Sequence, residues 1–538
     1  MKLEQRTLPV QNELLAHYWS EEAAIHSFFD YRYNDAAFSE RANYLNSKSY
    51  NTEQLSAVIR SYMAPFGISN AAEEHLAELA AGAHVVVGGQ QAGVFTGPMY
   101  SVHKAISVIV LAKEQREKLG QPVVPLFWIA GEDHDLEEIN HTFTIVEGMV
   151  KKRGYGERSK RKTMASTTPL NQAEMERLVH TVFADFGETA YTKELLNNVL
   201  SHLRNSKTFT AFFTALMNDL FAKHGLLMVD SAYTPFRQYE KEYFKAIIEN
   251  NEEIARVVVE KEGQLNSAGY GTPIEATVSN ANLFFVQDGE RFLLERKGDY
   301  YSNVLGHIKM TQEELLLVAE NSPECLSNNV VTRPLMQEMT IPVLAFVGGP
   351  GELAYWATLK GAFDVLQLQM PIFAPRLNIS LVTRAMDPLL KQYDLSFEDV
   401  TAGKVEELKD LFVDSVQDLE AQRQIDVMQE ILIDQLDKLE QHLQQTQLAL
   451  HNVIEKNQQY HVLQFDYLRK KLAQQVLVKH EVALRQFNLL SAELYPNNGF
   501  QERVYNPYQY INQYGPSLVD DLLELELVPS NYHNIVLL

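Results

Sequence analysis

From Leu389 to Tyr495 the chain contains no proline and a single glycine, Gly403. Proline removes a backbone donor and clashes with the preceding helical turn, and glycine weakens a helix by about 1 kcal/mol, so a stretch this long without them can stay helical. Within it Ile425, Met428, Leu432, Leu436, Leu439, Leu443, Leu450 and Val453 recur mainly in steps of three and four, with Gln, Glu, Asp and Lys between them. That heptad-like period predicts a coiled coil over residues 385–495. The expected object is a hairpin on the order of 50–75 Å long at about 1.5 Å per residue. Thr446 and Asn457 are expected to interrupt its seam and fix the register. Such a coiled coil either joins two copies of the chain, the expectation adopted here, or closes on itself.

Before residue 385 the pattern changes. Residues 84–87 are a short apolar run, residues 88–93 (GGQQAG) read as a glycine-rich loop, and Pro98 opens a helix expected from Met99 to Leu119, ending at Gly120. Residues 122–130 (PVVPLFWIA) are continuously apolar, as in a strand covered on both faces of a parallel sheet. Similar strands are expected at 225–230, 342–347 and 371–374, each running into polar or glycine-rich residues. Open parallel sheets bind ligands at the carboxyl edge, so these polar ends should converge on one site. The predicted class is α/β: a Rossmann-like parallel-sheet core over residues 1–384, a coiled coil over 385–495, and a tail over 496–538 packing back on the core. Two insertions are expected in the core. Residues 140–222 read as largely helical after a basic loop at 151–162, and residues 235–340 as a helix followed by a hairpin whose strands, 283–286 and 291–294, are joined by Asp288-Gly289.

A net charge of −23 argues against a nucleic-acid partner, which needs a basic footprint, though a local pocket for a small anion remains open. With one cysteine, Cys325, the chain forms no internal disulfide and no multi-cysteine zinc site. The first twenty residues lack the apolar segment of a signal peptide, and an apolar stretch such as 105–112 is far too short to span a bilayer. A cytoplasmic protein without membrane partners is expected.

Three segments could carry chemistry. In 88–104 (GGQQAGVFTGPMYSVHK) a glycine loop precedes a helix start, an arrangement that suits phosphate, with Tyr100, His103 and Lys104 on one helix face. Its glycines match neither the P-loop nor the dinucleotide spacing. In 131–135 (GEDHD) Glu132, Asp133, His134 and Asp135 come directly after a buried strand; they could bind an ammonium group, act as a general base or hold a metal. In 348–356 (GGPGELAYW) a second strand–glycine–helix junction places Glu352 in a first helical turn beside Trp356. Arg333, Arg376 and Arg384 are dispersed cations suited to carboxylate or phosphate, Arg384 more simply to a surface ion pair. The plain structural alternatives are a tight turn, a solvated acidic loop and a helix cap.

Four blocks, GGQQAG–TGPMYSVHK, FWIAGEDHDLEEINH, SPECLSNNVVTRPLMQE and GGPGELAYWATLK–PIFAPRLNIS, occur in this order, with a tail motif from Glu502-Arg503-Val504. Together they resemble the cysteine-adding enzyme family of bacillithiol biosynthesis, BshC. The resemblance implies a ligase that joins the carboxyl group of cysteine to the amine of glucosaminyl malate. It also implies a Rossmann core with connecting-peptide insertions, similar to class I aminoacyl-tRNA synthetases, and a dimerising coiled coil. Amide formation from a free carboxylate is uphill, so ATP (or ADP as its product) is the expected nucleotide, with a metal requirement left open. On that reading Gly89, Gln90, Gln91, Gly93, Thr96, Gly97, Gly349 and Gly351 approach the nucleotide, with His103 and Lys104 on its phosphates. Asp133, His134 and Asp135 bind or deprotonate the amine. Arg376 and Arg333 hold a malyl carboxylate, and Tyr100, Glu132, Glu352 and Trp356 complete the substrate pocket. A nucleotide-binding scaffold, or a transferase on the same fold, is the competing reading.

Overall fold

The computed structural model describes residues 1–8, 12–20, 23–156 and 161–538. Its central sheet has five parallel strands: β1 (His84–Gln90), β2 (Val123–Ile129), β3 (Leu227–Asp230), β4 (Val343–Gly348) and β5 (Ile372–Pro375). Their spatial order is β5-β4-β1-β2-β3, so the winding direction reverses between β1 and β4. That reversal opens a crevice at the carboxyl edge of the sheet. All seven residues of β2 are buried, which is why the strand reads as uninterrupted apolar sequence. Helix α1 (Met99–Leu119) joins β1 to β2 and stops at Gly120, whose φ of 63° a side chain would resist. The five expected strands and this helix are all present.

The glycine-rich loop begins later than its sequence suggests. Gly88, Gly89 and Gln90 are the last residues of β1, paired with Phe127, Trp128 and Ile129 of β2. A Cβ on Gly89 would lie 2.5 Å from the Trp128 carbonyl oxygen, so the two backbones can meet only at glycine. The first insertion also differs from expectation. His141–Val146 and Met149–Gly154 form a two-stranded sheet where helix and basic loop were anticipated, and the helices Gln172–Phe186, Thr192–Asn205 and Phe209–Phe221 come after it. Residues 157–160 of that basic loop lie outside the described residues. In the second insertion the expected hairpin is present and larger. Asn280–Gln287 and Glu290–Lys297 turn through Asp288 and Gly289, at φ of 52° and 80°, the pair of left-handed residues a two-residue hairpin loop requires. They belong to a five-stranded antiparallel sheet. A fourth sheet, not foreseen, sets His533–Leu537 between Lys2–Arg6 and Asn378–Val382.

The chain divides into two compact units. One holds residues 1–144, 151–383 and 500–538; the other holds 145–150 and 384–499. In the second, α2 (Leu419–Gln445) and α3 (His451–Lys479) form a hairpin turning at 446–450. The chain therefore closes on itself here, and the ion pairs Arg469–Asp426 (2.7 Å) and His451–Glu440 fix the antiparallel register. Ile425 and Ile454 are buried, and Leu432, Leu436 and Leu443 are half-buried, but Met428, Leu439, Leu450 and Val453 are exposed. The seam departs from the apolar spacing because Gln429 and Glu440 face the partner helix, where Arg469 and His451 satisfy them. Thr446 and Asn457 are exposed rather than in the seam.

The helix Asp35–Asn46 is fastened to the central sheet by one buried cation. Arg41 pairs with Glu338 at 2.5 Å and donates to the carbonyls of Val343 (3.0 and 2.8 Å) and Gln369 (3.0 Å), with neither charged side chain exposed. Removing one member of such a pair strands the other. Arg41→Met should cost about 3–5 kcal/mol in a urea melt, and Arg41→Met/Glu338→Leu together should recover most of it. Additive losses in the double variant would mean the pair is not the stabilising unit.

Candidate functional site

The crevice between β1 and β4 holds a cavity of about 330 Å³. Its wall comes from the ends of the sheet strands and from the loops and helices they lead into. Gly89, Gln90 and Gln91 close β1, and Trp128, Ala130 and Asp133 close β2. Gly349, Gly351, Glu352 and Tyr355 come after β4, and Arg376 after β5. Tyr100 and Lys104 enter from one face of α1, Arg333 and Gln337 from the helix Thr332–Thr340, and Arg503 from the tail. The polar strand ends thus do converge.

Lys104 lies at the centre of the site's charge. Its Nζ donates to the Gly89 carbonyl (2.7 Å), to Gln90 Oε1 (3.1 Å) and to Glu352 Oε2 (2.6 Å). The stem crosses Gly88, where a Cβ would come within 3.1 Å of Lys104 Cγ. Burial pulls its pKa down and Glu352 pulls it back part of the way, with Arg376 and Arg333 adding repulsion. Glu352 also accepts the Gly349 N–H at 2.8 Å, so it serves the helix start and the lysine together.

On one side of this pair lies the acidic loop. Asp133 faces Arg291 (3.2 Å) and Arg333 (3.4 Å). Glu132 is wholly buried behind it, bound by Arg237, by Arg333 (3.4 Å) and by the Asn328 N–H (3.2 Å). Burial would raise the Glu132 carboxyl, but Arg237, Arg291 and Arg333 outweigh it and hold it below the usual range. On the other side Arg376 forks onto Glu502, at 2.9 and 2.6 Å. The same carboxylate accepts His103 Nδ1 at 3.0 Å. Here too burial opposes ionisation, and Arg376 with the His103 hydrogen bond overcomes it. Burial lowers the pKa of His103 itself, against the pull of Glu502. Its Nε2 is buried without a hydrogen-bond partner among the described residues.

Eleven expected site residues are on the cavity wall: Lys104, Asp133, Gly89, Gln90, Gln91, Gly349, Gly351, Tyr100, Arg376, Arg333 and Glu352. Eight are not. His103 and Glu132 are fully buried behind it as partners of Glu502 and Arg237. His134 sits against Arg291 and the edge of Phe284, and Asp135 is exposed to solvent. Trp356 is in the core, its ring stacked on Phe346 at 4.5 Å. Gly93, Thr96 and Gly97 form a buried turn away from the wall, Gly93 packing so closely on Gly97 that a Cβ would reach its Cα at 2.7 Å. The start of α1 is no open phosphate cradle either, because the Tyr505 carbonyl accepts the Met99 N–H at 2.7 Å. The cations, rather than the helix N-terminus, are what this cavity offers to anionic oxygens.

Sequence reasoning passed over Trp128, Gln337, Tyr355 and Arg503 on the wall, and Arg237, Arg291 and Glu502 behind it. Trp128 read as one more apolar strand residue, yet its indole N–H has no partner among the described residues. The charged tail motif was the available signal for Glu502 and Arg503. No cluster of three or more His, Cys, Asp or Glu able to hold a metal occurs among the described residues. Nor is any described helix long and apolar enough to cross a membrane.

The model of the N-terminal Rossmann-like domain of bacillithiol biosynthesis BshC matches residues 1–377, and that of the BshC C-terminal coiled-coil domain matches residues 379–538. A relative from Lysinibacillus sphaericus (strain C3-41), named "Putative cysteine ligase BshC", is 56% identical over 538 residues and 100% of both chains. Its namesake from Geobacillus kaustophilus (strain HTA426) is 38% identical over 545 residues, again covering 100% of both chains. The second model runs to the chain end, whereas residues 500–538 pack within the first unit.

The tail beneath the site carries a pH-sensitive residue. His533 is buried, its Nε2 2.8 Å from Ser380 Oγ and its ring stacked on Phe500 at 4.7 Å. Burial lowers its pKa from 6.5 to about 4, with His103 and Arg376 opposing the charge and Glu502 favouring it. The unfolded imidazole therefore gains a proton before the folded one. Its contribution is intact above pH 6.5 and is lost as pH falls toward 4, up to roughly 3 kcal/mol at about 1.4 kcal/mol per unit. In urea melts His533→Gln should flatten the stability profile across that window. A profile of unchanged slope would exclude this origin.

Proposed function

The chain belongs to the BshC family of bacillithiol biosynthesis, and from that premise we propose that it forms an amide between the carboxyl group of cysteine and the amine of glucosaminyl malate, as the last step of that synthesis. The observation that carries the reading is the cavity at the switch point, where Asp133 and the cations Lys104, Arg333 and Arg376 share one wall. Such a site can receive an ammonium group and anionic oxygens side by side.

In the reaction a carbon–nitrogen bond forms and the bond from the activated carboxyl to its phosphate leaving group breaks, while the amine gives up a proton. ATP supplies the activation. Lys104 and Arg333 hold its phosphate oxygens, a reading supported by their position on the wall and their positive charge. Asp133 is the carboxylate there that can orient the amine and take its proton. The Gly89–Gln91 segment and the Gly349–Gly351 turn bring backbone close to the ligand, since neither Gly349 nor Gly351 carries a side chain into the cavity. Localisation in the cytoplasm fits the unpaired Cys325.

We read the coiled coil as the dimer contact. Val453, Tyr460, Leu463 and Tyr467 are 57–62% exposed and recur at seven, three and four residues, one face of α3. Such a stripe suits a second copy of the same helix pair. Sedimentation should give a dimer for the native chain and a monomer for Tyr460→Glu/Tyr467→Glu; a monomeric native chain would remove this contact.

The enzymatic reading is tested by incubating the purified protein with cysteine, glucosaminyl malate and ATP and identifying the products by mass spectrometry. Amide product with AMP supports an adenylate, and with ADP an acyl phosphate. Lys104→Met should lower turnover by about a hundredfold or more, as expected for a cation acting on developing charge. Nucleotide binding without product, in buffer and in cell extract alike, would favour a scaffold; consumption of a nucleotide sugar without cysteine would favour a transferase.

A further inference from the structure

The cations of the cavity are not equally available. Lys104 is held by Glu352, Arg333 lies 3.4 Å from both Glu132 and Asp133, and Arg376 gives both terminal nitrogens to Glu502. Each enters the site as half of a neutral pair. A carboxylate docking on Arg376 must compete with a buried one already bound in a fork, the strongest geometry available to it. Arg503 differs. It lines the same cavity, its side chain is exposed, and it forms no ion pair or side-chain hydrogen bond among the described residues.

Its position is not that of a loose surface arginine. Glu502, one residue before it, is pinned between Arg376 and His103. Gln501, two before, bonds both backbone groups of Leu381, at 2.8 Å each. The Arg503 N–H bonds to the Phe500 carbonyl at 3.0 Å, and the Tyr505 carbonyl holds the start of α1. The backbone that bears Arg503 is therefore fixed while its guanidinium is unengaged. Arg376 lies over the Tyr100 ring, 5.9 Å from its centroid, and Arg503 lines the same cavity as both. Asp133, 3.4 Å from Arg333, is on that wall too.

We propose that Arg503 is the residue that selects the acceptor substrate, by binding a carboxylate of its malyl group, while Arg376 is the neutralised post beside it. This rests on the ligase reading above and names the residue behind its acceptor specificity. It replaces the expectation that Arg376 and Arg333 hold that carboxylate. The ammonium-binding carboxylate Asp133 lines the same cavity.

The test compares Arg503→Gln and Arg503→Lys with the native enzyme, with thermal melts to establish that each is folded. Calorimetry with malate alone serves as a probe that needs no turnover, and is paired with steady-state kinetics on all three substrates. Arg503→Gln should weaken malate binding and raise the KM for glucosaminyl malate by about tenfold or more, leaving the KM for cysteine and ATP and the kcat within about twofold; Arg503→Lys should recover part of the loss. Equal malate affinity in native protein and Arg503→Gln would overturn the assignment, as would a rise confined to the KM for ATP, which would make the anion a phosphate. Malate binding that depends on Arg503 in a protein without turnover would support the anion site and sink the ligase reading. A native protein that binds no malate, and whose KM for glucosaminyl malate is unchanged in Arg503→Gln, would overturn the assignment, while the ligase reading stands or falls on turnover alone.

Discussion

A charge taken into a protein interior must bring its counter-charge with it, because the lost hydration of one ion is not repaid by apolar neighbours. This constraint organises the carboxyl edge of the central sheet. Lys104 is buried with Glu352, Arg237 with Glu132 and Glu240, and Arg376 with Glu502. Apart from Glu240, three residues from Arg237 on the same helix, the partners come from distant parts of the sequence. The site is therefore a lattice of compensated ions whose positions are set by mutual attraction, and among the described residues it leaves the Arg503 guanidinium and the Trp128 indole N–H unpaired.

Glycine supplies the second condition. Wherever the charged groups approach the sheet, the backbone must be bare. Gly88 lets the Lys104 stem lie across β1, and Gly89 lets β1 meet the Trp128 carbonyl. Gly131 makes room for Asp230, whose carboxylate a Cβ would meet at 2.3 Å. Gly88 and Gly89 look in sequence like part of a phosphate-binding loop. In the fold all three are close-packing positions, two of them inside a regular strand.

The parts legible in the sequence were those governed by local periodicity. The strands of the parallel sheet, α1 with its glycine stop, the Asp288-Gly289 hairpin and the helical hairpin all arise from runs of apolar residues and from turn chemistry. The parts that were not legible depended on partners far away. His103 and Lys104 are adjacent and look alike as candidate phosphate ligands, but one rotation of about 100° along α1 turns His103 into the Glu502 network and Lys104 into the cavity. Glu132 and Asp133 divide in the same way, one buried by Arg237 and the other left on the wall. The coiled-coil seam was misplaced for a related reason: Gln429 and Glu440 are polar, and only their partners across the hairpin show that they face inward.

The tail explains how a chain with a long helical excursion can still complete this site. The chain leaves the first unit after Thr383 and re-enters it at Phe500. Within that unit, Gln501 clips onto Leu381 on both backbone groups, so the strand Asn378–Val382 and the returning segment are held together beside the point of exit. Glu502 and Arg503 come immediately after, and His533–Leu537 closes the small sheet against the same strand. Whatever length of helix lies between Thr383 and Phe500, the return point is fixed by hydrogen bonds made inside the core. A ring of charge that needs a carboxylate from beyond residue 500 can therefore form as reliably as one built from neighbouring loops.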